Sequence, residues 1–207
     1  MLIIKEACVD TLRDAIEAEK NGADRIELCS RLDLEGLTPE KKLIDNVMNN
    51  LKIPVRVMIR NMHGTFIYKK NDLKMMVEQI EYCKSIGVDG VVFGCLKENH
   101  HLDMNKINFL TKISKPLKVI IHKAIDETPN PLESLKIILK NKKINGILSS
   151  GGKKKALSSV KTLKKMLDLV NSEFELICAG GITYNNLLEL HSKINGKYYH
   201  GKKIINF

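Results

Sequence analysis

The sequence predicts an α/β fold: a (β/α)8 TIM barrel forming one domain over residues 1–207, with its final helix shortened or absent. Three observations predict it. Eight short apolar runs alternate with seven segments of helical periodicity, which is the pattern of an all-parallel sheet, and eight strands are the number that closes on itself. At 207 residues the chain is long enough for one substantial core and sits at the low end of the range for this fold. After the eighth run the stretch Gly201–Phe207 is too short for a full helix. The groove this leaves is expected to be covered by a second copy of the protein, in a homodimer or a higher homo-oligomer.

Taken in order, Leu2–Cys8 reads as a strand, followed by a helix over Thr11–Asn21 with Leu12, Ala15, Ile16 and Ala18 at helical spacing. Ala23–Cys29 is the second strand. Pro39–Asn50 is a helix, because Pro39 suits a first turn and Thr38 can cap it. Pro54–Arg60 is the third strand, and Asn71–Ile86 a helix closed by Gly87. Gly90–Leu96, Leu117–Lys123, Ile144–Ser150, Glu175–Ala179 and Lys197–His200 complete the strands. The helices between them are Asn105–Ile113, Pro131–Asn141, Lys153–Val170 and Tyr184–Lys193.

Side-chain alternation gives the barrel an unusual lining. Val55, Val57 and Ile59 share one face of the third strand, with Arg56, Met58 and Arg60 on the other. Helices cover the outside of such a barrel, so apolar faces point outward and charged faces inward. The interior then receives Glu6, Arg25, Glu27, Arg56 and Arg60. Buried charges must pair with one another or meet a ligand or water, so the set is either a self-compensating ion network or a binding cluster.

Composition narrows the partners. The balance is 34 basic against 24 acidic residues, for a net charge of +10. The lysines are scattered, tryptophan is lacking, and no basic-aromatic motif offers a stacking platform, so nucleic acid is not an expected partner. Five cysteines at irregular spacing do not make a disulfide framework. With neither an apolar leader nor a run long enough to span a bilayer, the chain reads as cytoplasmic, reduced and not membrane-bound.

Two strand ends repeat one pattern, Glu6-x-Cys8 and Glu27-x-Cys29, which puts each carboxylate and thiol on a common face. The crossover between them sets the strands side by side, so two thiols and two carboxylates gather at one place. Thiolates are soft ligands for transition metals, and a nearby cation such as Arg60 favours the thiolate. Cys83, Cys95 and Cys178 read as small packing residues. A different chemistry gathers at other strand ends. Gly151, Gly152, Gly180 and Gly181 follow the sixth and seventh strands, where backbone can approach an anion, with Lys153–Lys155 alongside. His122 and Asp126 follow the fifth strand, and Glu6 or Glu27 can serve as a base. Plain turn chemistry for the glycines and a solvated lysine run are the simpler alternatives.

Several stretches together resemble the CutC copper-homeostasis family over essentially the whole chain. They are Glu6-Ala7-Cys8, the run Asn21-Gly22-Ala23-Asp24-Arg25-Ile26-Glu27-Leu28-Cys29, Gly36-Leu37-Thr38-Pro39 and Met58-Ile59-Arg60. Further on come Ile121-His122-Lys123-Ala124-Ile125-Asp126, Leu148-Ser149-Ser150-Gly151-Gly152, Ala179-Gly180-Gly181-Ile182 and His200. The resemblance implies a (β/α)8 barrel, a cytoplasmic copper-handling role and Cu(I) bound by cysteine, here Cys8 and Cys29. It carries no settled reaction. The alternative is a barrel enzyme acting by acid/base chemistry on a small phosphorylated or anionic substrate, with Glu6, Glu27, Arg60, His122 and Asp126 as its catalytic candidates. The chain departs from the family pattern after Arg60, reading Asn61, Met62, His63, Gly64 and Thr65, so an expected arginine and aspartate are missing. Lys123 stands where arginine is usual, and lysine cannot grip an anion in the same two-pronged way.

Overall fold

The computed structural model describes residues 3–206, so the predicted strand start at Leu2 and the terminal Phe207 lie outside the described residues. Eight strands hydrogen-bond in chain order and the last closes on the first, giving a parallel barrel. They are β1 (Ile4–Val9), β2 (Arg25–Leu28), β3 (Val55–Met58), β4 (Gly90–Phe93), β5 (Lys118–Ile121), β6 (Gly146–Ser149), β7 (Glu175–Cys178) and β8 (Tyr198–Gly201). The helices are α1 (Leu12–Lys20), α2 (Lys41–Asn50), α3 (Lys70–Ile86), α4 (Met104–Ser114), α5 (Pro131–Ile138), α6 (Val160–Leu169) and α7 (Leu187–Ile194). Among the described residues nothing helical follows β8. No helix among them is long and apolar enough to cross a membrane.

Three helices begin differently from the sequence reading. Thr38 does not cap α2. Its hydroxyl accepts from the Arg60 backbone N–H at 2.8 Å and donates to Gln79, so it ties the end of β3 to α3. Lys153–Lys155 are loop rather than helix: Gly151 and Gly152 adopt positive φ, and α6 starts only at Val160 after a 3-10 turn, Ala156–Ser158. At α7 the start moves from Tyr184 to Leu187, because Thr183 and Asn186 form a side-chain-braced turn first.

The two faces of the strands form two cores, as alternation requires. Val55, Val57 and Ile59 join Ile26, Leu28, Val91 and Phe93 in the core between sheet and helices. Inside the barrel, Cys8, Cys29, Met58, Val92, Ile120, Leu148, Ile177 and Ala179 pack together. Beneath that apolar plug lies an ion network. Arg56, fully buried, sends both terminal nitrogens to Glu175 at 2.9 Å and its Nε to Asp89 at 3.0 Å. Arg25 reaches Glu6 at 2.5 Å and Glu175 at 3.0 Å. Lys118 closes the set on Asp89 at 3.0 Å. This lower layer is the compensated network, built partly by Glu175 and Asp89, which strand parity in the first three strands alone does not reveal.

Candidate metal centre and barrel mouth

Register carries the thiols to one spot. Cys8 lies opposite Glu27 across β1 and β2, while Glu6 has Arg25 on one side and His200 on the other. Cys29, one residue beyond β2, brings its Sγ to 3.8 Å from Cys8 Sγ. His200 arrives from β8, its Nδ1 at 2.9 Å from Glu6 Oε1 and its Nε2 at 3.5 Å from Glu27 Oε2. Donor atoms of Cys8, Glu27 and His200 all lie within 4.8 Å of one another. Gly36 leaves room beside this pair, since a Cβ there would meet Cys29 Sγ at 3.2 Å.

The protons in this cluster are unevenly placed. The hydrogen bond from Cys29 outweighs burial and, with His200, brings the Cys8 thiol down to about 5. Cys29 moves the opposite way, because its proton is held toward Cys8 and burial disfavours a second thiolate. Burial and then the negative charges of Cys8 and Glu6 push Glu27 above the usual carboxylate range, against the pull of His200. For His200 burial is opposed by Glu27, Cys8 and Glu6, which together hold it well above an ordinary histidine. Glu6 goes the other way: burial is overcome by Arg25, His200 and Arg56, and it stays ionised far below the usual range. These shifts favour the charged forms of Cys8 and His200 side by side.

The other predicted site residues divide. Arg60 is buried, stacks on Phe66 with its guanidinium carbon 4.6 Å from the ring centroid, and gives Nη1 to the carbonyls of Leu34 and Gly36. His122 packs on the same ring at 4.7 Å and accepts the Ala124 N–H on Nδ1 at 3.1 Å. Asp126 is a strut. Its carboxylate accepts from both Ser149 and Ser150 hydroxyls and from the N–H groups of Ser150 and Gly152, at 2.6–2.9 Å, and so holds the loop after β6. Gly151 and Gly180 leave no room for a side chain, a Cβ meeting Ser159 and Ser150 at 2.7 and 2.6 Å respectively, so packing accounts for both. Arg60, His122, Asp126 and Gly180 border one cavity of about 680 Å³ at the C-terminal mouth, together with Cys8 and His200 of the thiol cluster.

His200 and Phe66 are the site residues that sequence reasoning undervalued. Counting alternation along the last strand would have placed His200 inward beside Glu6. Phe66 gives no such signal, since it lies in the irregular segment after β3.

The fold and this site define a class, a parallel eight-stranded barrel with a buried thiol–imidazole–carboxylate cluster at its mouth. The chain belongs to the CutC family, whose sequence profile matches residues 3–205. It is 36% identical over 184 residues to the copper homeostasis protein cutC homolog of Homo sapiens, covering 89% of this chain and 67% of that protein. A CutC family protein of Aliivibrio fischeri is 37% identical over 202 residues, covering 97% of this chain and 81% of the relative. A crystal structure from Streptococcus agalactiae, of a protein bearing the name CutC, superposes with a TM-score of 0.89 at 28% identity, covering 98% of this chain and all of that one. Dihydrodipicolinate synthase from Bacillus anthracis, at 15% identity and a TM-score of 0.64, covers 97% of this chain and 70% of its own, and shares the fold.

Proposed function

We propose that this protein handles copper by binding Cu(I) between Cys8 and Cys29 at the barrel mouth, with His200 as third donor after the metal displaces the proton from its Nε2. The observation that carries the reading is the 3.8 Å separation of two buried thiols, one of them held as a thiolate by its surroundings. Two soft sulfurs and one imidazole are a donor set suited to Cu(I), while the carboxylate of Glu6, 2.9 Å from His200 Nδ1, orients the imidazole and leaves Nε2 toward the thiols. The name of the human relative, a copper homeostasis protein cutC homolog, agrees with a role in copper homeostasis. Such chemistry needs reduced thiols, so the protein belongs in the cytoplasm. Recovery with secreted or periplasmic fractions would contradict that placement.

The test is an anaerobic Cu(I) competition titration of the reduced protein and of a Cys8→Ser/Cys29→Ser variant. Tight binding is expected in the first and none in the second. Equal binding in both, or no binding in either, removes the thiols from the site.

The same reading makes the protein a homodimer. Ile16 on α1 and Tyr184 and Leu188 beside and on α7 are exposed, and those helices flank the position where an eighth helix would lie. Sedimentation velocity at micromolar concentration is expected to give a dimer, and a monomer would sink the assignment.

A further inference from the structure

At the mouth of the barrel, two buried nitrogens outside the thiol cluster have no partner among the described residues. They are Arg60 Nε and His122 Nε2, on side chains belonging to residues that are each 3% exposed. Both side chains pack on the ring of Phe66, so they sit together at one wall of the cavity. The chemistry of each atom is settled by its surroundings. His122 Nδ1 accepts the Ala124 N–H, so it carries no proton. Burial, followed by the charge on Arg60, brings the His122 pKa down to about 3, so the ring is neutral at physiological pH. A neutral ring with a bare Nδ1 has its proton on Nε2. Both orphan atoms are therefore donors, and a buried donor left unmatched is costly.

What would satisfy them is an acceptor with negative charge. Arg60 Nη1 already serves two backbone carbonyls, which leaves the Nε edge for a ligand. That edge suits a carboxylate, and the neutral His122 N–H adds a second grip without a second charge. The walls beside them include Met58, Leu148 and Ala179, apolar enough for a carbon skeleton. The cavity of about 680 Å³ falls within the range of small-molecule sites. Of the acidic groups that share it, Asp126 is held by the loop after β6, Glu35 and Glu127 are exposed, and Glu27 turns one oxygen to His200 while its other oxygen has no partner. Lys153, Lys154 and Lys202 stand at the rim and attract anions from solution.

We propose that this half of the mouth binds a small organic carboxylate, its oxygens accepting from the Arg60 guanidinium edge and from His122 Nε2–H. The site is separate from the proposed Cu(I) donors, so either assignment can fail alone. It makes His122 a hydrogen-bond donor to the ligand rather than a proton-abstracting base, since a group with a pKa near 3 is a weak base.

The test titrates acetate, pyruvate, succinate, citrate and inorganic phosphate, each separately, into protein labelled with 15N at histidine. At least one carboxylate is expected to bind saturably and to shift the His122 Nε2–H resonance. Arg60→Gln and His122→Phe should each weaken that binding by about tenfold or more, the loss of one charge-assisted or buried hydrogen bond. Cys8→Ser/Cys29→Ser should leave it unchanged. The proposal is overturned if no carboxylate saturates, if phosphate alone binds, or if binding leaves the His122 signal in place. It is also overturned if Lys153→Ala/Lys154→Ala abolishes binding while Arg60→Gln does not. Should the Arg60 variant fail to fold, the wild-type His122 resonance still decides.

Discussion

Arg56 and Arg60 point into the same barrel from the same strand direction, yet their surroundings are opposite. Arg56 directs its Nε and both terminal nitrogens at carboxylates and stays buried among charges that answer it. Arg60 stacks on an aromatic ring, bonds two carbonyls weakly, and keeps an Nε that meets nothing. The lower end of the barrel thus resembles a folded interior that has closed its own polar demands, apart from one nitrogen of Arg25. The mouth leaves demands open at Glu27, Arg60 and His122. The unmet polarity at Arg60 and His122 is what the proposed carboxylate would answer, because a buried donor without a partner is costly.

Breaking the closed end should have the largest effect. Arg56→Met leaves Glu175 with Arg25 alone and Asp89 with Lys118 alone, and should cost about 3 kcal/mol of stability in urea unfolding. A loss under about 1 kcal/mol would mean the network is not structural. At the mouth the contrast sharpens with pH. His122 has a folded pKa near 3 against an unfolded value of about 6.5. A depressed folded value contributes stability above pH 6.5, and that stability is lost as pH falls toward 3. The loss should reach on the order of 3 kcal/mol by about pH 4. His122→Phe should flatten that limb of the stability–pH curve, and parallel curves for the two proteins would refute the neutral buried ring. A smaller effect is expected at Gly94. A Cβ there would lie 2.7 Å from His122 Nδ1, so Gly94→Ala should cost about 1–3 kcal/mol and displace the His122 resonance. An unmoved resonance would show that the ring has room to spare.

Much of this division was legible in the chain. Alternation in β1, β2 and β3 put Glu6, Cys8, Glu27, Arg56 and Arg60 inside, because parity along a strand is a property of local backbone geometry. It could not say which inward charges meet. That depends on height within the barrel, which register sets between strands far apart in sequence. Glu175 therefore went unrecognised as the partner of Arg25 and Arg56, though it lies on β7 with its side chain inward. Asp126 looked like an acid/base group because its position follows a strand end. Three of the four donors that occupy it come from the next βα loop and the fourth is Ser149 at the end of β6, and no periodicity announces them. The Lys153–Lys155 run likewise reads as a helix start until the positive-φ glycines before it are seen to demand a loop.

His200 and Glu6 touch across nearly the whole length of the chain. During synthesis both thiols emerge with β1 and β2, and the imidazole only later, with β8. The complete donor set therefore does not exist on a half-made chain. It comes into being when β8 docks on β1 and shuts the ring, so the order of translation itself keeps a growing polypeptide from holding the finished thiol–imidazole cluster.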